Sequence, residues 1–140
     1  WGCTPLFWAL SDTTPSWAAV FPGIGIMCLG ATLELVADNQ LHAFRRRTNP
    51  AESDLLDSGL WSVVRHPNYL GEILFWVGAC ATGLAAGAPW YSAGGAGVIA
   101  ALVVFASIPL KDTRMASRRS GFDAYRKATP AIIPGIHWPK

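Results

Sequence analysis

Three apolar stretches of this chain are each long enough to cross a lipid bilayer, and they limit the possible folds more than any other feature. They run from Trp17 to Ala37, from Tyr69 to Pro89 and from Gly94 to Leu110. A membrane-spanning helix needs about 20 apolar residues, or about 17 at the short end. Each of the first two stretches holds a single acid, and the third holds no charge. The chain is 51% hydrophobic and 14% charged, which favours a protein in lipid over a soluble one.

We therefore predict an all-helical, polytopic membrane bundle that forms a single domain over residues 1–140, with spans at about 17–41, 67–89 and 93–110. The chain begins with Trp1 rather than with Met. We expect it to be the C-terminal part of a longer protein. Its three cysteines have no metal-type spacing, so we predict no metal site.

The basic residues indicate the orientation of these spans. All eleven occur in two segments: Arg45, Arg46, Arg47 and Arg65 in the first, and Lys111, Arg114, Arg118, Arg119, Arg126, Lys127 and Lys140 in the second. Because Lys and Arg are enriched in cytoplasmic loops, segments 42–66 and 111–140 are predicted to face the cytoplasm. The turn at residues 89–92 and the first 16 residues then lie on the opposite side.

Ionisable residues within the predicted spans need an explanation, because a charge in the bilayer is costly and usually serves a function. Glu34 and Glu72 lie near the cytoplasmic ends of their spans. Glu34, Asp38 and His42 follow at four-residue spacing, so they share one helix face. The structural alternative is that Asp38 and His42 are interfacial and that Glu34 pairs with a basic neighbour.

Polar residues are most concentrated from Asp57 to Glu72, where the second span begins. Pro67 suits the first position of a helix because its missing N–H would have had no partner there. The helix N-terminus, preceded by Arg65 and His66, is predicted to bind an anion such as a nucleotide pyrophosphate. The alternative is a positively charged anchor in the lipid head-group layer.

The basic C-terminal segment is predicted to fold back on this helix start, because Phe122, Tyr125 and Pro134 give it apolar anchors. Asp112 and Arg114 would then add a second charged cluster to a cytoplasmic pocket. The alternative is a lipid-binding polybasic tail that uses Arg118, Arg119, Arg126 and Lys127.

Several of these pieces together resemble bacterial membrane proteins with a steroid 5-alpha-reductase-like C-terminal domain, relatives of the sterol C14 and delta-7 reductases. The matching pieces are Glu34 to Phe44 (ELVADNQLHAF), Asn49-Pro50, Asp57 to Trp61 (DSGLW), Arg65 to Glu72 (RHPNYLGE), Ser107 to Leu110 (SIPL), and Tyr125 with Thr129 and Pro134. The shorter pattern RHP-x-Y-x-G is shared with isoprenylcysteine carboxyl methyltransferases.

The resemblance implies helices and cytoplasmic segments that wrap NADPH, whose hydride reduces a carbon–carbon double bond of a lipid-like substrate to a CH–CH group. The cofactor-binding positions that it implies are Asp38, Arg45, Arg65, His66, Asn68, Tyr69, Glu72, Asp112 and Tyr125. Lys111-Asp112 stands where relatives usually have Leu-Glu. In this family the substrate cavity and the acid that donates a proton in it lie largely in earlier spans, which this sequence does not include. No catalytic residue is therefore assigned.

The leading interpretation is thus an NADPH-dependent oxidoreductase of a steroid, sterol or other enone-type lipid, in a bacterial inner membrane, with the bilayer but no nucleic acid as a partner. In it, Arg65 and His66 neutralise phosphate, and Glu72 and Asn68 orient the nicotinamide or ribose. Two alternatives stay open. One is an S-adenosylmethionine-dependent membrane methyltransferase, and the other is a membrane protein without enzymatic activity.

Overall fold

A computed structural model describes residues 17–48 and 54–136. The predicted far-side segment 1–16 and the Asn49-Pro50 motif lie outside these residues. The helices are α1 (Trp17–Thr48), α2 (Leu60–Val63), α3 (Pro67–Ala85), α4 (Gly94–Leu102), α5 (Ile108–Arg118) and α6 (Phe122–Ala128). A 3-10 turn, Trp90–Ala93, leads into α4, and a π-helical turn, Val103–Ser107, joins α4 to α5. All regular structure in the described residues is helical, which confirms the all-α prediction.

Two of the helical segments are long and apolar enough to cross a membrane: Trp17–Arg46 and Trp90–Arg118. In the most apolar part of each segment, only 17% of the residues of the first and 11% of the residues of the second are buried within the protein. Their apolar side chains therefore point mainly outward, as expected for contact with lipid. The predicted second span corresponds to α3, which has 19 residues and does not meet the same criteria. Residues 17–48 and 54–136 thus contain two candidate membrane helices, and a bundle with three spans stays a prediction.

The first and third of the predicted spans extend as helices beyond their apolar parts. α1 continues past residue 41 to Thr48, and the helix that contains α4 and α5 continues past residue 110 to Arg118. The added residues include Arg and Lys, which are good helix formers, and the second extension ends where Arg119 takes an extended conformation. Parts of both predicted cytoplasmic segments are therefore helical extensions of the spans.

Helices α1 and α3 pack with their backbones in direct contact. A Cβ atom at Gly30 would lie 2.6 Å from the carbonyl oxygen of Gly71, and one at Gly78 would lie 2.5 Å from the backbone nitrogen of Met27. Small residues permit such an approach between helices in lipid. Gly71 and Gly78 therefore lie on the face of α3 that contacts α1.

The segment after α6 folds back against the start of α3 and the π-helical turn. Ala131 and Ile132 are buried together with Val103 and Ile108. Tyr69, Leu70 and Ile73 of α3 pack against the same cluster. The predicted return of the C-terminal segment is therefore confirmed, and the driving force is burial of apolar surface. Its anchors in this cluster are Ala131 and Ile132, whereas the predicted anchor Pro134 is exposed.

The short helix α2 is held on α1 by two hydrogen bonds. The side-chain oxygen Oε1 of Gln40 accepts from the backbone N–H of Leu60 at 3.0 Å, and the indole of Trp61 donates to the carbonyl of Ala37 at 3.2 Å. Gly59 precedes α2 with φ at 62°, a conformation that favours glycine. The DSGLW sequence thus makes a turn that places Trp61 beside the start of α3.

Candidate functional site

The two residues before α3 are buried and bonded through their backbones to the returning C-terminal segment. α3 begins at Pro67, as predicted. Arg65 and His66 are each 8% exposed. Their N–H groups donate to the carbonyls of Pro130 and Ala131, at 2.8 and 3.0 Å. These two amides are therefore engaged by the protein itself and are not available to an anion.

The guanidinium of Arg65 is held by three acceptors from distant parts of the chain. Its Nη2 lies 2.9 Å from Oδ2 of Asp112. Its Nη1 donates to the carbonyls of Thr129, at 2.5 Å, and of Arg126, at 3.1 Å. The third donor, Nε, is buried and has no hydrogen-bond partner within the described part of the chain. A buried donor without a partner costs free energy, so a ligand oxygen that accepts from it would be stabilising.

Asp112 joins Arg65 to His66. Its Oδ1 lies 2.9 Å from Nε2 of His66, and the residue is 5% exposed. If the carboxylate is ionised, it can only accept, so Nε2 carries the proton in this contact. The His66 ring also stacks on the ring of Tyr69, with centroids 5.5 Å apart and planes at 25°. One acid from α5 therefore orients both residues at the start of α3.

A cavity of about 130 Å³ opens beside these residues, and we call it the helix-mouth cavity. Its lining is Leu41, Phe44, Arg45, Leu56, Trp61, Arg65, His66, Asn68, Tyr69, Lys111, Met115, Arg119, Phe122 and Tyr125. Ligand pockets usually measure about 300–1,000 Å³, so the cavity accommodates part of a large ligand.

Six of the nine predicted cofactor-binding residues line the helix-mouth cavity: Arg45, Arg65, His66, Asn68, Tyr69 and Tyr125. Asp112 is absent from the lining, but it binds two of them from behind. Asp38 and Glu72 are also absent from the lining. Both are near enough to Glu34 for their charges to interact with it.

Sequence reasoning did not assign the other lining residues to the cofactor site. Lys111, Met115 and Arg119 occur at four-residue spacing, and they contribute a single face to the cavity. That spacing, counted from Lys111, is a signal that could have identified them. Arg119 was considered only for a lipid-binding tail, and its neighbour Arg118 is indeed exposed.

The side chains that line the cavity carry a net positive charge. Three cationic side chains reach the cavity: Arg45 from α1, Lys111 from α5, and Arg119 from the residue that follows α5. No ion pair involves them within residues 17–48 and 54–136. The lining residues named above include no acid. The potential in the cavity therefore favours an anionic ligand.

Tyr125 closes one side of the cavity and is tied to α2. Its hydroxyl donates to the carbonyl of Trp61. Burial raises the pKa of Tyr125 to about 12, so the phenol is neutral near pH 7. Its hydroxyl hydrogen is engaged in this bond, and its contribution to the cavity is its ring.

The comparisons with known proteins point to one family. No curated protein and no solved structure matches the chain. A protein family described as being of unknown function, DUF1295, matches residues 3–129. That family is associated with steroid 5-alpha-reductase-like membrane proteins. Since the match covers most of its 140 residues, the chain belongs to the DUF1295 family.

Proposed function

We propose that this chain carries the cofactor site of a membrane reductase, which uses NADPH to reduce a double bond of a steroid, sterol or other enone-type lipid. The observation that carries the proposal is the helix-mouth cavity, where Lys111 and Arg119 join six residues named by the family resemblance, Arg45 among them. In the described part of the chain, Arg45, Lys111 and Arg119 form no ion pair. We place this cavity on the cytoplasmic side, where NADPH is available and where the basic residues are expected.

The residues of the cavity fit a phosphorylated dinucleotide. Phosphate groups need cations and N–H donors, and the cavity offers Arg45, Lys111, Arg119 and the unpartnered Nε of Arg65. Flat rings need apolar or aromatic walls, which Phe44 and Trp61 provide. Asn68 supplies an amide that can donate to or accept from a ribose or a carboxamide.

The positive lining favours NADPH over the alternative ligand. S-adenosylmethionine carries a sulfonium cation and no phosphate, so a cavity with three cations and no acidic lining residue would repel part of it. Bound NADPH would supply a hydride to the lipid double bond. Asp112, Arg65 and His66 form the buried support that keeps the start of α3 in place beside the ligand.

The proposal is tested by ligand binding to the full-length protein in detergent. Thermal unfolding is followed with NADPH, with NADH and with S-adenosylmethionine, because a ligand that binds the folded state raises Tm. We expect the largest rise with NADPH. A rise confined to S-adenosylmethionine would indicate a methyltransferase, and no rise with any ligand would favour a non-enzymatic membrane protein.

Two asparagines provide a matched pair of variants for this experiment. Asn68 lines the cavity, whereas Asn39 is exposed on α1 and away from it. Asn68→Ala should reduce the NADPH-induced rise in Tm, and Asn39→Ala should leave it unchanged. Equal responses of the two variants would indicate that NADPH binds elsewhere.

A further inference from the structure

We infer that the phosphate groups of the ligand are bound by Arg45, Lys111 and Arg119, and that Arg65 contributes one buried N–H rather than the main positive charge. This inference rests on the proposed function and deepens it. It adds Lys111 and Arg119 to the binding residues, and it makes Arg65 chiefly a positioning residue.

The charge of Arg65 is already compensated. Its guanidinium lies 2.9 Å from the carboxylate of Asp112, and both side chains are buried. Two backbone carbonyls accept from its Nη1. A ligand phosphate would therefore find little unbalanced charge there, because the nearby carboxylate repels it about as strongly as the guanidinium attracts it.

The Nε of Arg65 nevertheless points to a ligand. It is a buried donor without a partner in the described residues, on a side chain that lines the cavity and is more than nine-tenths buried. Native proteins rarely leave such a group unsatisfied. A ligand oxygen placed beside it would accept this hydrogen bond, so the cavity includes a donor as well as cations.

Unlike Arg65, the other cations at the cavity form no ion pair within the described residues. Arg45 and Lys111 are exposed, and Arg119 is half-buried. They come from two segments: Arg45 from the end of α1, and Lys111 and Arg119 from one face of α5 and the residue after it. Separate cations can surround a phosphate and can serve more than one phosphate group of the same nucleotide.

The test compares Lys111→Gln and Arg119→Gln with Arg114→Gln and Arg118→Gln in the full-length protein. All four positions follow the apolar part of the same helix, but Arg114 and Arg118 are exposed and are not among the residues that line the cavity. NADPH dissociation constants are measured by titration at two salt concentrations. Each charge-assisted contact typically contributes enough binding energy for about a tenfold change in Kd.

We expect Lys111→Gln and Arg119→Gln each to raise the Kd for NADPH by about tenfold and to reduce the salt dependence of binding. The two control variants should change this Kd by less than about twofold. If wild type binds NADPH and all four variants match it, the inference is wrong and the proposed function stands. If wild type binds no phosphorylated nucleotide, both are wrong. Unchanged folding is checked by the Tm of each variant without ligand.

Discussion

Arg65 and Asp112 form a buried ion pair with 2.9 Å between Nη2 and Oδ2, although 47 residues separate them in the chain. The pair joins the second residue before α3 to an acidic side chain of α5. Through Nη1, the same guanidinium also binds carbonyls of Arg126 and Thr129. The geometry of the helix-mouth cavity therefore depends on the returning C-terminal segment, and changes at this pair should affect both stability and ligand binding.

Replacing Asp112 with Ala should strongly destabilise the protein. The change leaves the Arg65 guanidinium buried without its counter-charge and removes the partner of His66. Loss of one member of a buried pair costs about 3–5 kcal/mol. The free energy of unfolding is measured in detergent, with Asp123→Ala, an exposed acid in α6, as the control. Similar values for the two variants would show that the buried pair contributes little to stability.

Gly30→Ala should separate α1 from α3. A Cβ atom at this position would meet backbone atoms of α3, including the Gly71 carbonyl oxygen at 2.6 Å, and backbone cannot move aside cheaply. Overpacking of this kind costs about 1–3 kcal/mol. Gly25→Ala is a matched control in the same helix, because its added Cβ would have no atom of another described segment within 4 Å. Since Ala is a better helix former, Gly25→Ala should be neutral or stabilising by up to about 1 kcal/mol.

The sequence was sufficient to predict the main helices and the position of the helix mouth. The apolar run predicted the start of α1 at Trp17, and the preference of proline for the first helical position predicted the start of α3 at Pro67. The preference of proline for the first helical position can be applied to a sequence because it depends only on local backbone chemistry. The ends of the helices were less predictable, since the charged residues after an apolar run are also good helix formers and do not stop the helix.

The partners within the site could not be read from the sequence to the same extent. Arg65 and His66 were predicted to present their charges to an anion, but the structure pairs both with Asp112. Such a pair depends on how distant segments pack, and nothing in the local pattern around Arg65 reports the position of residue 112. The predicted roles of Asp38 and Glu72 at the cofactor stay predictions, and neither residue lines the cavity.

Gln40→Ala should loosen α2 and the wall that carries Trp61. Gln40 accepts from the N–H of Leu60 at the start of α2, and its side chain packs on Gly59. Removing a side chain that caps a helix start typically costs about 0.5–2 kcal/mol. The unfolding free energy of Gln40→Ala is compared with that of Asn39→Ala, its exposed neighbour. Hydrogen exchange at Leu60 should accelerate in Gln40→Ala alone, and unchanged exchange there would contradict the role given to Gln40.

Tyr125→Phe should make the protein less sensitive to alkaline pH. The phenol donates to the Trp61 carbonyl, and burial raises the pKa of Tyr125 to about 12, against about 10 in an unfolded chain. Between these two values the folded protein keeps a proton that the unfolded chain releases. The stability that Tyr125 contributes is therefore complete below about pH 10 and is lost as the pH rises towards about 12.

At neutral pH the Phe variant should be less stable than wild type by about 1 kcal/mol, because it lacks the hydroxyl hydrogen bond. This difference should shrink as the pH rises above about 10, since only wild type loses the contribution of the buried phenol. Denaturant unfolding in detergent is measured for both proteins across this range, with Tyr91→Phe, an exposed residue outside the site, as the control. A difference that stays constant with pH would mean that the Tyr125 hydroxyl ionises as easily in the folded protein as in the unfolded chain.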